Sequence, residues 1–264
     1  MKIALMDSGI GLLAAAAATR RLRPDADLVL SSDPDGMPWG PRTPVGITER
    51  ARSVARAAAA LGPDALIVAC NTASVHALAA LRAELEPGIP VIGTVPAIKP
   101  AAAAGGRVAI WATPATTGSP YQRGLIRDFA AGARVTEVPC PGLADAVEHG
   151  DEEAVARTVA AAAALTPADV TDVVLGCTHY ELVEESIRAA LDARTAGAEL
   201  VYHGSAEAVA VQALRRIGLG PAPDLPRTGG LTVLHSGRTA TLPDAALGYA
   251  EGRLLAGRQQ AHQH

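Results

Sequence analysis

Two similar α/β halves with mainly parallel sheets, sharing one cleft, are what the sequence predicts, on three observations. Short apolar, β-leaning runs alternate with longer alanine-rich stretches along the 264 residues. The runs are apolar nearly throughout rather than alternating, as strands buried on both faces of a parallel sheet are. One segment also occurs twice: ALGPDALIVACN (60–71) and ALTPADVTDVVLGCT (164–178) share a helix end, a proline, an aspartate, an apolar strand and a cysteine. Alanine-rich units resemble one another through composition, but composition does not put two of three cysteines at matching positions.

The first strand is IALMD (3–7), closed by Asp7-Ser8. The run AAAAA at 14–18 reads as compositional bias. DLVLS (27–31) is the second strand and leads into DPDGMPWG (33–40), where Asp33 and Asp35 pin or cap the loop before Pro38. A helix expected over 45–61 precedes ALIVA (65–69), whose end carries Cys70-Asn71-Thr72, and a helix over 74–86 follows. PVIG (90–93) and RVAIWA (107–112) come next, the latter followed by Thr113 and Thr116 and a helix over 119–131. RVTEV (134–138), a helix over 151–164, and DVVLG (172–176) lead to Cys177-Thr178-His179. A helix over 181–193, AELVY (198–202) and a helix over 205–217 complete the series. In open parallel sheets ligand-handling residues gather beyond the carboxyl ends of strands. That rule singles out the residues behind the first, third, fifth and seventh strands.

Composition narrows the function. Apolar residues make up 49% of the chain, enough for a packed core. A net charge of −4 argues against nucleic acid or an anionic membrane surface as the main partner. No apolar run approaches the roughly 18–20 residues of a membrane span, and Asp7 comes too early for a secretory signal. Three scattered cysteines fit a reducing compartment better than a disulfide framework. The expectation is a soluble cytoplasmic protein.

A lone cysteine at the end of a buried strand is ordinarily a small core residue. The neighbours of Cys70 and Cys177 point elsewhere. Backbone N–H groups at the helix starts that follow favour anions, whether a thiolate or a substrate carboxylate. A thiol with an ordinary pKa of about 8.5 needs only a modest downward shift to act as a base near neutrality. Two thiols facing one carbon suit removal of a proton from one face and delivery to the other. His179 is placed to move a proton at Cys177, and Asp7 at Cys70 if the two strand ends adjoin.

The segments MDSGIG (6–11), DPDGMPWG (33–40), ACNTAS (69–74), GTVPAIKPAA (93–102), ATPATTGSPY (112–121) and LGCTHY (175–180), with GSAEAVA (204–210) as a weaker match, occur in the order found in one family. The chain resembles glutamate racemase, within the cofactor-independent aspartate/glutamate racemase superfamily. The resemblance implies two pseudo-symmetric α/β domains, one from 1–95 plus 206–264 carrying Cys70 and one from 96–205 carrying Cys177, with the active site in the cleft between them. It implies Cys70 and Cys177 as catalytic bases, with Asp7 supporting the first and His179 and Glu148 the second. Ser8, Asn71, Thr72, Thr113, Thr116 and Thr178, with the backbone of Pro38-Trp39-Gly40, would hold the amino acid. It implies a homodimer without cofactor, producing D-glutamate of the kind used in peptidoglycan biosynthesis; cell-wall synthesis and a specialised pathway both stay open.

Three departures from the family pattern stand out: Gly11-Leu12 for Gly-Gly, Trp39 for a tyrosine, and Glu181 for a proline after LGCTHY. The last two motivate a second reading, a racemase or isomerase of the same superfamily acting on another amino acid or related acid. A third reading makes Cys70, Cys177 and His179 a metal or redox site, against which stands the lack of any Cys-x-x-Cys or other metal spacing. A fourth is an idle relative that only binds. A pyridoxal phosphate enzyme would need a Schiff-base lysine, and neither Lys2 nor Lys99 has such a setting. Cys140 reads as packing, His76 as helix surface, and His149, His203 and His235 lack metal spacing. His262 and His264 read as a frayed tail.

Overall fold

The computed structural model describes residues 1–103, 105–194 and 199–257. His262 and His264 lie outside the described residues, as does Ala198 at the head of the strand expected over 198–202. The chain divides into two compact units, Met1–Val95 with Ala206–His264, and Pro96–Ser205.

In the first unit, β1 (Lys2–Met6), β2 (Asp27–Ser32), β3 (Ala65–Val68), β4 (Val91–Gly93), β9 (Leu231–His235) and β10 (Arg238–Ala240) form one sheet in the order β10-β9-β2-β1-β3-β4. All neighbours run parallel except β10, which turns back on β9. In the second, β5 (Arg107–Ala112), β6 (Arg134–Pro139), β7 (Asp172–Leu175) and β8 (Val201–His203) form a parallel sheet in the order β6-β5-β7-β8. The strands β2-β1-β3-β4 and β6-β5-β7-β8 therefore follow one plan. In each, the chain steps from its first strand to one side and then crosses back to the other. That reversal is the switch point where open α/β sheets bind ligands, between β1 and β3 and between β5 and β7.

Several helices carry start signals. α2 (Pro44–Ala59) has Pro44 in its first turn and Thr43 as cap, accepting from the Gly46 amide at 3.2 Å. α6 (Pro120–Phe129) repeats the device with Ser119, which accepts from the Gln122 amide at 3.1 Å. α8 (Glu152–Leu165) is capped by Asp151 and has Glu152 and Glu153 in its first turn, where the helix dipole favours them. The helix expected over 74–86 begins at Asn71 and is broken at Ala77 into α3 (Asn71–His76) and α4 (Leu78–Leu85). The remaining helices are α1 (Leu13–Leu22), α5 (Ile98–Ala102), α7 (Leu143–His149), α9 (Glu184–Asp192), α10 (Ala206–Arg216), α11 (Asp244–Leu247) and α12 (Ala250–Ala256).

The alanine run at 14–18 is not mere bias: it is the body of α1. Residues Leu13 to Arg20 are all buried, and α1 packs against α10 and α12. A stretch of alanines buried on every side shows no contrast of polar and apolar faces, which is why the sequence hides it. Arg20, itself buried, donates to the carbonyls of Pro24, Ala26 and Gly230 and ties the end of α1 to the approach of β9.

Candidate active site

In the first unit, the Ala69 amide donates to the Met6 carbonyl at 2.9 Å, so the ends of β1 and β3 run on side by side into Asp7-Ser8 and Cys70. Asp7 is fully buried, and its Oδ1 accepts from the Ser8 amide at 2.7 Å and from the Ser8 hydroxyl at 3.4 Å. Cys70 is extended (φ −146°, ψ 118°) and immediately precedes α3, with only 6% of its surface exposed. Asn71 and Thr72 follow, half-buried, in the first turn of that helix.

The loop behind β2 is clamped by one carboxylate. Asp33 accepts from Trp39 Nε1 at 2.9 Å, from Arg50 Nε at 2.7 Å and from the Ser236 hydroxyl at 2.9 Å. Trp39 is 2% exposed, so its indole is an anchor of the loop, while Pro38 and Gly40 on either side stay exposed. Ser236 sits in the β9–β10 turn with Gly237, at φ 47° and 81°. Two successive positive φ values are the pattern of a tight type I′ hairpin.

In the second unit, the Gly176 amide donates to the Trp111 carbonyl at 2.8 Å, the counterpart of the Ala69–Met6 bond. A Cβ at residue 176 would lie 2.6 Å from that carbonyl oxygen, so only glycine permits the approach that sets Cys177 beside the end of β5. Cys177 is half-buried and extended (φ −136°, ψ 137°), and the turn Thr178–Val183 follows it. Its Sγ lies 3.9 Å from His179 Nδ1, and His179 Nε2 lies 2.8 Å from Glu148 Oε2 on α7. A carboxylate at Nε2 favours the tautomer with its proton there, leaving the Nδ1 lone pair towards the sulfur. The chain Cys177–His179–Glu148 can therefore take the thiol's proton and return it. Behind β5, the Thr113 hydroxyl donates to that of Thr116 at 3.2 Å, and the Thr116 and Thr117 amides both donate to the Thr113 carbonyl at 2.9 Å.

Thus Asp7, Ser8, Cys70, Asn71 and Thr72 occupy the switch point of the first unit, with Pro38-Trp39-Gly40 behind the adjacent β2. Thr113, Thr116, Cys177, Thr178 and His179 occupy that of the second, with Glu148 reaching His179 from α7. Glu181 has a structural role: its Oε1 accepts from the amide and hydroxyl of Ser205 at 2.9 and 2.8 Å. The carboxylate of Asp33, the hydroxyl of Ser236 and the carboxylate of Glu137, whose Oε2 accepts from the Gly118 amide at 2.6 Å, hold these loops. Sequence reasoning gave Asp33 a loop role without its partners and passed over the other two.

Cys140 is buried, and burial pushes its thiol up to about 12. It stays protonated and inert at neutral pH. In the folded protein iodoacetamide at pH 8 should label Cys177 while sparing Cys140, as read by peptide mass mapping. Equal labelling would mean that the Cys140 environment opens.

Among the described residues, no three His, Cys, Asp or Glu side chains are grouped to hold a metal ion, and no helix is long and apolar enough to cross a membrane. Residues 11–212 match the family model for Asp/Glu/Hydantoin racemase. The glutamate racemase of Pseudomonas entomophila (strain L48) is 37% identical over 221 residues, which cover 82% of this chain and 81% of that one. That of Pseudomonas putida (strain W619) is 39% identical over 183 residues, 67% of this chain and 69% of that one. Among solved structures, the Escherichia coli glutamate racemase, in complex with L-glutamate and the activator UDP-MurNAc-ala, is similar with a TM-score of 0.79 at 26% identity. It covers 98% of this chain and 94% of its own. With a family model spanning most of its length and relatives this similar, the chain belongs to the Asp/Glu/Hydantoin racemase family.

Proposed function

We propose that the protein interconverts L-glutamate and D-glutamate without a cofactor, using Cys70 and Cys177 as its two bases. The observation that carries this reading is the repeated plan: each unit ends its third strand in a cysteine at its own switch point. The glutamate racemases among its relatives supply the substrate. One cysteine, as thiolate, takes the α-proton from one face of the substrate. The other, as thiol, gives its proton to the opposite face, and the enzyme is left with the two states exchanged. The reverse reaction starts from that exchanged state.

An α-proton of an amino acid is a weak acid, so negative charge developing on the α-carboxylate has to be met by fixed donors. Ser8, Asn71, Thr72, Thr113, Thr116 and Thr178, with the backbone of Pro38-Trp39-Gly40, take that role and hold the ammonium and side-chain carboxylate. Asp7 supports Cys70; His179, oriented by Glu148, supports Cys177. The two residues that motivated another substrate are occupied elsewhere, Trp39 with Asp33 and Glu181 with Ser205. That favours glutamate over a different acid. The same reading makes the protein a cytoplasmic homodimer.

The test is incubation with L-glutamate in deuterated water. The optical signal of the substrate should decay to zero, with one α-deuterium in every D-glutamate formed. A signal that holds steady at high enzyme concentration overturns the reading.

A further inference from the structure

We propose that Glu137 is a positioning residue for the substrate-holding turn of the second unit; the inference rests on the role given above to Thr113 and Thr116. Along β6 the side chains alternate between faces. Val135 lies on the face where Val108, Ile110 and Val174 of the sheet meet Leu125 and Ile126 of α6. Glu137, two residues on and paired with Ile110 of β5, lies on that same face. A carboxylate against an apolar layer is costly without a hydrogen-bond partner. Its partner is the Gly118 amide at 2.6 Å.

That bond reaches across 19 residues to the turn between β5 and α6. The turn's other hydrogen bonds are local. The Thr116 and Thr117 amides close on the Thr113 carbonyl, the Ser119 amide on Thr116, and the Thr117 hydroxyl on Thr113 and, at 3.4 Å, on the carbonyl of Ala112 at the end of β5. These bonds fix the shape of the turn and, through Ala112, tie it to the end of its own strand, but they do not join it to β6. Gly118 stands at φ 69°, a conformation that side chains disfavour, and it is in this conformation that its N–H reaches Glu137. The carboxylate therefore sets how the Thr113 and Thr116 hydroxyls are presented, touching no substrate itself.

The experiment is steady-state kinetics with L- and D-glutamate on Glu137→Ala, Glu137→Asp and Glu137→Gln, with thermal midpoints measured alongside. Losing a hydrogen bond to a charged acceptor should raise KM about tenfold for both enantiomers in the Ala and Asp variants, with kcat within about threefold. Gln keeps a carbonyl oxygen at the same reach and should keep KM within about threefold of the parent. A Glu137→Ala enzyme with unchanged KM overturns the inference, whatever its thermal midpoint. If Glu137→Ala does not fold, equal KM values in the Asp and Gln variants overturn it. An unsubstituted protein inert on glutamate overturns the proposed function and this inference together, whereas an active one with insensitive variants overturns only the inference.

Discussion

Cys70→Ala and Cys177→Ala should each lose racemisation by about 10³-fold or more, near the upper range for removing a general acid–base group. Either variant keeps one base and lacks the group that completes inversion. The remaining thiolate can still remove the α-proton from the enantiomer whose C–H bond points at it. Having no partner on the far face, it returns a solvent-derived proton to the side it came from. Each variant should therefore exchange α-hydrogen for deuterium in one enantiomer only, without inversion, and the two variants should choose opposite enantiomers. Proton NMR of L- and D-glutamate incubated separately in deuterated water reads this directly. Racemisation at the parent rate in both variants would end the two-base mechanism.

His179→Asn should lower kcat/KM by about 10²-fold, because the Cys177 proton loses its acceptor. Glu148→Gln should cost about tenfold, since it disturbs only the tautomer and aim of the ring. L- and D-glutamate have equal free energies, so the equilibrium constant is unity and kcat/KM must fall equally in both directions for any variant. The individual kcat values are free to diverge. Cys70 has Asp7 and Ser8 beside it where Cys177 has His179, so the loss of His179 should change kcat more in one direction than in the other. Full progress curves from each enantiomer measure this; an unchanged kcat in both directions would exclude His179 from proton transfer.

Much of the fold was legible because parallel strands bury both faces and so announce themselves as apolar runs. All eight strands expected from such runs are present, and the candidate residues Asp7, Cys70, Thr113 and Cys177 lie beyond the ends of the four that were singled out. What stayed hidden had physical reasons. α1 is buried from Leu13 to Arg20, and its run of alanines marks no face. β9 and β10 have Ser236-Gly237 between them, a turn signal whose flanking runs are short and half polar. Within the candidate site, the strand-end places of the cysteines and their polar neighbours could be read from sequence. The clamps could not, because Asp33–Ser236 and Glu137–Gly118 join residues that only tertiary structure brings together. A glutamate on the α6-covered face of β6 was the one local sign, and it gains meaning only once the register with β5 is known.

The first unit is discontinuous, and that orders its assembly in time. A ribosome releases β1 to β4 early, but β9, the outer neighbour of β2, and the helices α10 and α12 that pack on α1 all come after residue 205. The second unit, continuous from Pro96 to Ser205, has its whole sheet available before then. Of the side chains that donate to Asp33, Ser236 comes last in the chain, so the loop that anchors Trp39 is fully clamped only when translation has passed the hairpin. A nascent chain can thus hold a finished Cys177–His179–Glu148 relay while its Pro38–Gly40 loop is still without one of its fastenings. The last fastening waits for the hairpin to be made.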